Sequence, residues 1–241
     1  MKRLDKYLVE MSVASRSAIK EMARKGRITV NGMVVKASDT KIDENIDIVA
    51  VDGQIIAYLH REYFMLNKPA GVITATEDKH AHTVLDLLKE RVRNDLFPVG
   101  RLDKDTEGLL LITNDGDLAH RLLAPKKHVD KVYFAIIKGI VTDEHIHVFA
   151  SGMKLLDGTE VMPGVLEILE VNEEEDTSRI RLTIHEGKFH QVKRMFEAVG
   201  TQVTYLKRLS MGPLVLDDTL VPGEYRRLTD EEVAMLKAAT K

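Results

Sequence analysis

Gly100-Arg101-Leu102-Asp103 stands shortly before Leu109-Leu110-Leu111-Ile112, so a carboxylate and a guanidinium sit where a buried strand is about to begin. Such a carboxylate is costly to desolvate unless a cation or several amides stabilise it, and Arg101 is a local candidate for that cation. Two readings fit these residues. In one, Asp103 and Asp105 cap a turn and Arg101 is an exposed partner; in the other, Asp103 is a catalytic carboxylate. Spacing leaves both open. A carboxylate hydrolase built on Asp103 and Asp105 is disfavoured, because carboxylates two residues apart on an extended segment point to opposite sides.

A second chemistry-bearing stretch is His190 to Val199. On a helical wheel Val192, Met195, Phe196 and Val199 form the buried stripe, Lys193 lies at its margin, and Arg194 points away alongside His190. A margin residue can reach inward, so Lys193 is the expected cation partner of Asp103 and Arg194 an expected phosphate contact. Lys68 either contacts phosphate or merely flanks the turn at Pro69. Tyr133 lies in Lys131 to Lys138, where Val132, Phe134 and Ile136 alternate with Tyr133 and Ala135; taken alone it reads as a half-buried strand tyrosine. His80-x-His82 and His145-x-His147 lack a companion carboxylate and cysteine set, so no metal site is expected.

The elements that must position these residues are a mixture of strands and helices. Tyr63 to Asn67 reads as a strand ended by Lys68-Pro69-Ala70-Gly71, and Leu109 to Thr113, Lys131 to Lys138 and Ile180 to Ile184 as further strands. Thr83 is placed to cap a helix through Val92, Asp115 or Asp117 to cap one from Leu118 to Leu123, and Thr229 opens a capping-box spacing. The order lacks strict β-α alternation. An α+β fold with a mostly antiparallel sheet is therefore expected rather than a doubly wound one.

The 241 residues carry 44% apolar and 30% charged side chains, no cysteine, and no apolar run long enough to span a bilayer. The N-terminus lacks the apolar segment of a secretory signal, so a cytoplasmic location is expected. The net charge of −3 hides an asymmetry: residues 1 to 41 hold ten Lys or Arg against four Asp or Glu, a net of +6, which leaves −9 for the remainder. The basic part reads as its own module. Leu4, Tyr7, Leu8 and Met11 recur at helical spacing, a second helix after Ser15 or Ser17 turns Ile19, Met22 and Ala23 to one side, and Asn31-Gly32 marks a hairpin. Ile46 to Val49 supplies a further strand. Arg16, Lys20, Arg24, Lys25 and Arg27 on or beyond the second helix form a stripe that suits a phosphate backbone, although a solvated helix face is the usual meaning of such spacing.

Arg3-Leu4-Asp5-Lys6-Tyr7-Leu8, Ala14-Ser15-Arg16-Ser17 and Gly26 to Gly32 resemble the small RNA-binding domain first known from ribosomal protein S-four. That resemblance implies an RNA-binding domain over residues 1–58, with Arg3 joining the basic stripe. Tyr63 to Gly71, Gly100 to Leu110 and Glu186 to Met195 resemble the RsuA-like family of ribosomal-RNA pseudouridine synthases, which implies a catalytic domain over residues 59–241. What the family resemblance implies is a cofactor-free isomerisation. The aspartate matching Asp103 attacks the target uridine, at the base or at the ribose anomeric carbon, and uracil is reattached through carbon 5. Tyr133 matches the tyrosine that packs against the uracil, and the motif agrees with Lys193 as the cation. Arg101 is expected to fill the gap left by the flipped base. The expected partner is ribosomal RNA, 16S rRNA or an assembling small subunit, bound by a monomer. The alternatives are a large-subunit enzyme and a non-catalytic rRNA-binding or assembly protein of the same fold.

Overall fold

The computed structural model describes residues 1–240 and divides into two compact units, Met1–Glu62 with Lys89–Leu96, and Tyr63–Leu88 with Phe97–Lys241. In the first unit the helices Leu4–Glu10 and Arg16–Arg24 pack on a short four-stranded antiparallel sheet. Ser15 caps the second helix by accepting the Ala18 amide at 3.3 Å. Ile19 and Ala23 are buried among Leu4, Leu8, Ile28 and Val49. The hairpin turn takes positive φ at both Asn31 (52°) and Gly32 (78°), the signature of a type I′ turn. The expected strand at Ile46 to Val49 starts only at Val49, in Val49–Val51. The reason is local: Asp47 closes a turn on the Asp43 carbonyl and the Ile48 amide is taken by the Asn31 side chain, which leaves Ile46 and Ile48 exposed.

The expected helix from Thr83 to Val92 does not form, and Lys89–Leu96 belongs to the first unit instead of the synthase-like one. Tertiary acceptors hold the end of this segment in the first unit. The Glu62 carboxylate accepts the amides of Val92 (3.1 Å) and Arg93 (2.7 Å), and the Glu10 carbonyl accepts that of Asn94 (3.0 Å). Arg93 is buried, its guanidinium donating to the Leu59 carbonyl and to Asp95, each at 2.7 Å. Backbone donors satisfied in this way have no need of an i to i−4 partner.

The second unit is built on a nine-stranded sheet whose main path runs Val165–Asn172, Thr177–Ile184, Lys131–Lys138, Gln202–Met211, Glu107–Thr113, Tyr63–Lys68, Tyr225–Arg227, with Leu214–Val215 paired to Gln202–Met211 and Phe97–Pro98 to Glu107–Thr113. Neighbouring strands are antiparallel except at the centre, where Gln202–Met211 and Glu107–Thr113 run parallel. Leu109 to Ile112 are wholly buried, as a strand covered on both faces must be. The helix Gly116–Leu123 is capped by Asp115, and Asp230–Ala238 by the Thr229/Glu232 box. Among the described residues no helix is long and apolar enough to cross a membrane.

Two contacts fix the turn that precedes the Glu107–Thr113 strand. Gly108 pairs with Arg208 in the parallel register, at φ 98°, and a Cβ there would lie 2.3 Å from the Arg208 carbonyl oxygen. No other residue fits. Lys68, at the end of Tyr63–Lys68, is fully buried and donates to the carbonyls of Pro69 (3.1 Å), Asp103 (3.0 Å), Lys104 (3.3 Å) and Thr106 (2.9 Å). The expectation that Lys68 contacts phosphate is therefore corrected: its ammonium is enclosed and spent on the turn.

Gly108→Ala is expected to cost about 3 kcal/mol, through the clash and the left-handed strain together, read as a fall in the urea midpoint; an unchanged midpoint contradicts the close approach. Burial holds Lys68 down at about 8, against 10.5 for an ordinary lysine. The unfolded chain binds that proton more tightly than the folded one between those values, so the stability owed to Lys68 rises with pH across the window. Lys68→Met is expected to be about 2 kcal/mol less stable because carbonyls lose their donor. The gap between wild type and variant should widen from about pH 7.5 to about pH 9.5 in urea titrations, and a flat or narrowing gap contradicts the burial.

Candidate active site

Asp103 does not lie on an extended segment. The Thr106 amide returns to the Asp103 carbonyl at 3.1 Å, and this turn brings the carboxylates of Asp103 and Asp105 to the same ammonium. Lys193 Nζ lies 3.3 Å from Asp103 Oδ2 and 2.6 Å from Asp105 Oδ1. The opposite-sides expectation is thus corrected, and the cation beside Asp103 is Lys193 rather than the sequence-local Arg101. Burial pulls the Lys193 ammonium down, but the hydrogen bond to Asp105 and the two carboxylate charges outweigh it and hold it above the ordinary lysine value. The same hydrogen bond from Lys193 holds Asp105 below the usual carboxylate range. His190 Nε2 approaches Asp103 Oδ1 at 3.5 Å.

The helix Gln191–Ala198 delivers Lys193 to this point. Val192, Met195 and Phe196 are buried, and Gln191 seats the helix start by accepting the Lys188 amide at 2.9 Å and donating to Glu186 at 3.0 Å. Lys193 is left half-buried, where a stem can pack and an ammonium can face a carboxylate. Arg194 pairs with Asp157 and donates to the Phe189 carbonyl at 3.1 Å.

Asp103 borders a cavity of about 740 Å³ that is also lined by Thr74, Arg101, Lys131 and His190. A narrower recess of about 60 Å³ adjoins it, lined by Asp103, Thr106, Tyr133, Val192 and Leu206. Tyr133 is buried and faces this recess from the strand opposite Arg208. Arg101 is exposed and lines both spaces. The fold thus brings Asp103, Lys193, Tyr133 and Arg101 together. Charge relations that spacing missed are also present. Lys131 is buried, its Nζ donating to the Val129 carbonyl at 2.8 Å, and burial followed by the nearby Arg208 charge pushes it down to about 8. Arg208 is itself buried, with Nε on the Leu109 carbonyl at 2.8 Å. Only the oddity of charged residues within alternating strands hinted at these two.

In the first unit Arg3, Arg16, Lys20 and Arg24 line one concavity of about 380 Å³, together with Lys36, which the helix-based reading passed over. Lys25 is instead paired with Glu21 at 2.6 Å and Arg27 with Asp52 through Nε at 2.8 Å. Exposed pairs of this kind are weak and leave those cations able to exchange partners.

Comparison with known proteins identifies the family. A family model for RNA pseudouridylate synthase matches residues 62–198, and one for the S4 domain matches residues 2–45. An uncharacterized RNA pseudouridine synthase of Bacillus subtilis, YtzG, is 47% identical over 97% of this chain and 98% of its own. Ribosomal small subunit pseudouridine synthase A of Escherichia coli K12 is 42% identical over 96% and 98%, and ribosomal large subunit pseudouridine synthase B of B. subtilis 40% over 99% and 96%. A crystal structure of a pseudouridylate synthase superposes with a TM-score of 0.67 at 35% identity, covering 98% of this chain and all of that one. With an S4 domain model matched ahead of the synthase model in the chain and relatives at 40% identity or more over nearly the full length, the chain belongs to the RsuA-like group of the RNA pseudouridylate synthase family.

Proposed function

We propose that this synthase isomerises one uridine of small-subunit (16S) ribosomal RNA, acting as a monomer on free or assembling RNA in the cytoplasm. The observation that carries the chemistry is the Asp103 carboxylate, held 3.3 Å from Lys193 at the edge of a cavity that continues into the Tyr133 recess. Asp103 attacks the target nucleotide, and Lys193 keeps that carboxylate oriented and charge-balanced. The bond from ribose C1′ to uracil N1 breaks and one from C1′ to C5 forms; C5 loses a proton and N1 gains one. Nothing is oxidised or consumed, so the reaction asks for no cofactor.

Tyr133 offers an aromatic face to a base held out of its stack, in a recess too narrow for a paired one. Arg101, exposed at the cavity border, fills the space the base leaves in the helix. The basic concavity of the first unit grips phosphates. The small-subunit assignment is supported by the relatives named for that activity in Escherichia coli and Yersinia pestis, at 42% and 40% identity. The large-subunit relative, also at 40%, makes large-subunit RNA the alternative to test.

The test is to incubate the enzyme with unmodified small-subunit and large-subunit rRNA separately and map pseudouridine by carbodiimide-dependent primer-extension stops. One new stop in small-subunit RNA is expected, and Asp103→Asn should lower its rate of appearance by at least about 10³-fold without loss of fold. A stop only in large-subunit RNA overturns the substrate. An Asp103→Asn enzyme as fast as wild type overturns the nucleophile.

A further inference from the structure

The chain has six phenylalanines and six tyrosines, and eleven of the twelve are buried or half-buried. Phe189 alone is exposed, at 68%. It is not a loosely hanging ring. It stacks on His190 with centroids 3.8 Å apart and planes 18° from parallel. Its carbonyl accepts Arg194 Nη1 at 3.1 Å, and Arg194 is fixed in turn by Asp157. His190 sits in left-handed backbone at φ 48°, a strained conformation for a non-glycine residue, and from there reaches Asp103.

Location gives the exposure a meaning. Phe189 borders the cavity that contains Asp103 and also a neighbouring concavity of about 330 Å³, so this exposed residue stands at the boundary of the two. A uridine drawn into the first space leaves the nucleotide beside it with one stacking face bare. An exposed aromatic ring at the border of that space is placed to cover that face, and any base can stack there because every base has a π surface.

We propose that Phe189 is the stacking platform for the nucleobase adjacent to the target uridine, with His190 as its backing ring. This rests on the RNA-isomerase reading above and adds to it a subsite for a flanking nucleotide. The subsite selects an unpaired neighbour rather than a particular base.

The test uses the full chain and an RNA carrying the mapped uridine. Phe189→Leu keeps an apolar side chain and removes the π face; Phe189→Tyr keeps the ring. Because the side chain is exposed, both variants should unfold at the wild-type midpoint. The expected result is a KM raised roughly 10-fold in Phe189→Leu, with kcat within about 2-fold of wild type and Phe189→Tyr unaltered. In RNAs with an abasic ribose at one or the other flanking position, wild type should lose the same factor at one position, and Phe189→Leu should lose nothing more there. Phe189→Leu matching wild type on every RNA, or penalties that multiply at both positions, overturns the platform. A wild-type enzyme that converts no uridine at all overturns the underlying reading instead.

Discussion

A single enclosed ammonium organises the larger unit. Lys68 donates to four carbonyls, three of them on the turn that carries Asp103, and it does so from the fully buried end of the Tyr63–Lys68 strand. Burying an amine is unfavourable, and the depressed proton affinity of Lys68 records that cost. What the cost secures is a tight turn whose backbone direction is fixed from below. Gly108 fixes it from the side, because only a residue without a Cβ allows the central parallel strands to approach. With the backbone held at these two points, the Asp103 carboxylate has a defined place and Lys193 can meet it from the helix Gln191–Ala198.

The charge around the site follows from the same construction. The chain beyond residue 41 is acidic as a whole, yet the space beside Asp103 is bordered by Arg101, Lys131 and Lys188, with Arg208 buried in the sheet. A negatively charged polymer meets a locally cationic cleft within an otherwise net acidic part of the chain, which disfavours non-specific contact there. Enclosure holds the amines of Lys68 and Lys131 down at about 8, and for Lys131 the neighbouring Arg208 charge adds to it. Lys193 differs because two carboxylates surround it, and it keeps its proton.

How much of this was legible in the sequence depends on whether the deciding contact is local. Lys131–Lys138 and the Asn31-Gly32 hairpin follow from alternation and turn chemistry, and the structure places both where that chemistry puts them. The Thr229 capping box is equally local. The helix expected from Thr83 gives way to i to i−3 turns, with the Asp86 and Leu88 amides on the Thr83 and Leu85 carbonyls, and at its far end the Val92 amide goes to the Glu62 carboxylate, distant in sequence. The helical wheel puts Lys193 at the margin of a buried stripe, but its bridge between Asp103 and Asp105 depends on a turn closed by the Thr106 amide, which spacing does not reveal. Lys68 obeys the same rule: a lysine before a proline looks like a surface residue until the chain folds back over it. The reaction itself was legible only through motif resemblance, since the same carboxylate and guanidinium would suit an ordinary turn.

The account stands on Lys193 acting upon Asp103, and single-turnover conversion at saturating RNA tests this most directly. Lys193→Met is predicted to slow the chemical step by about 10²-fold or more, while RNA affinity stays near that of wild type and Lys193→Arg recovers part of the rate. A Lys193→Met enzyme that forms pseudouridine at the wild-type single-turnover rate would show that the ammonium beside Asp103 serves only the fold.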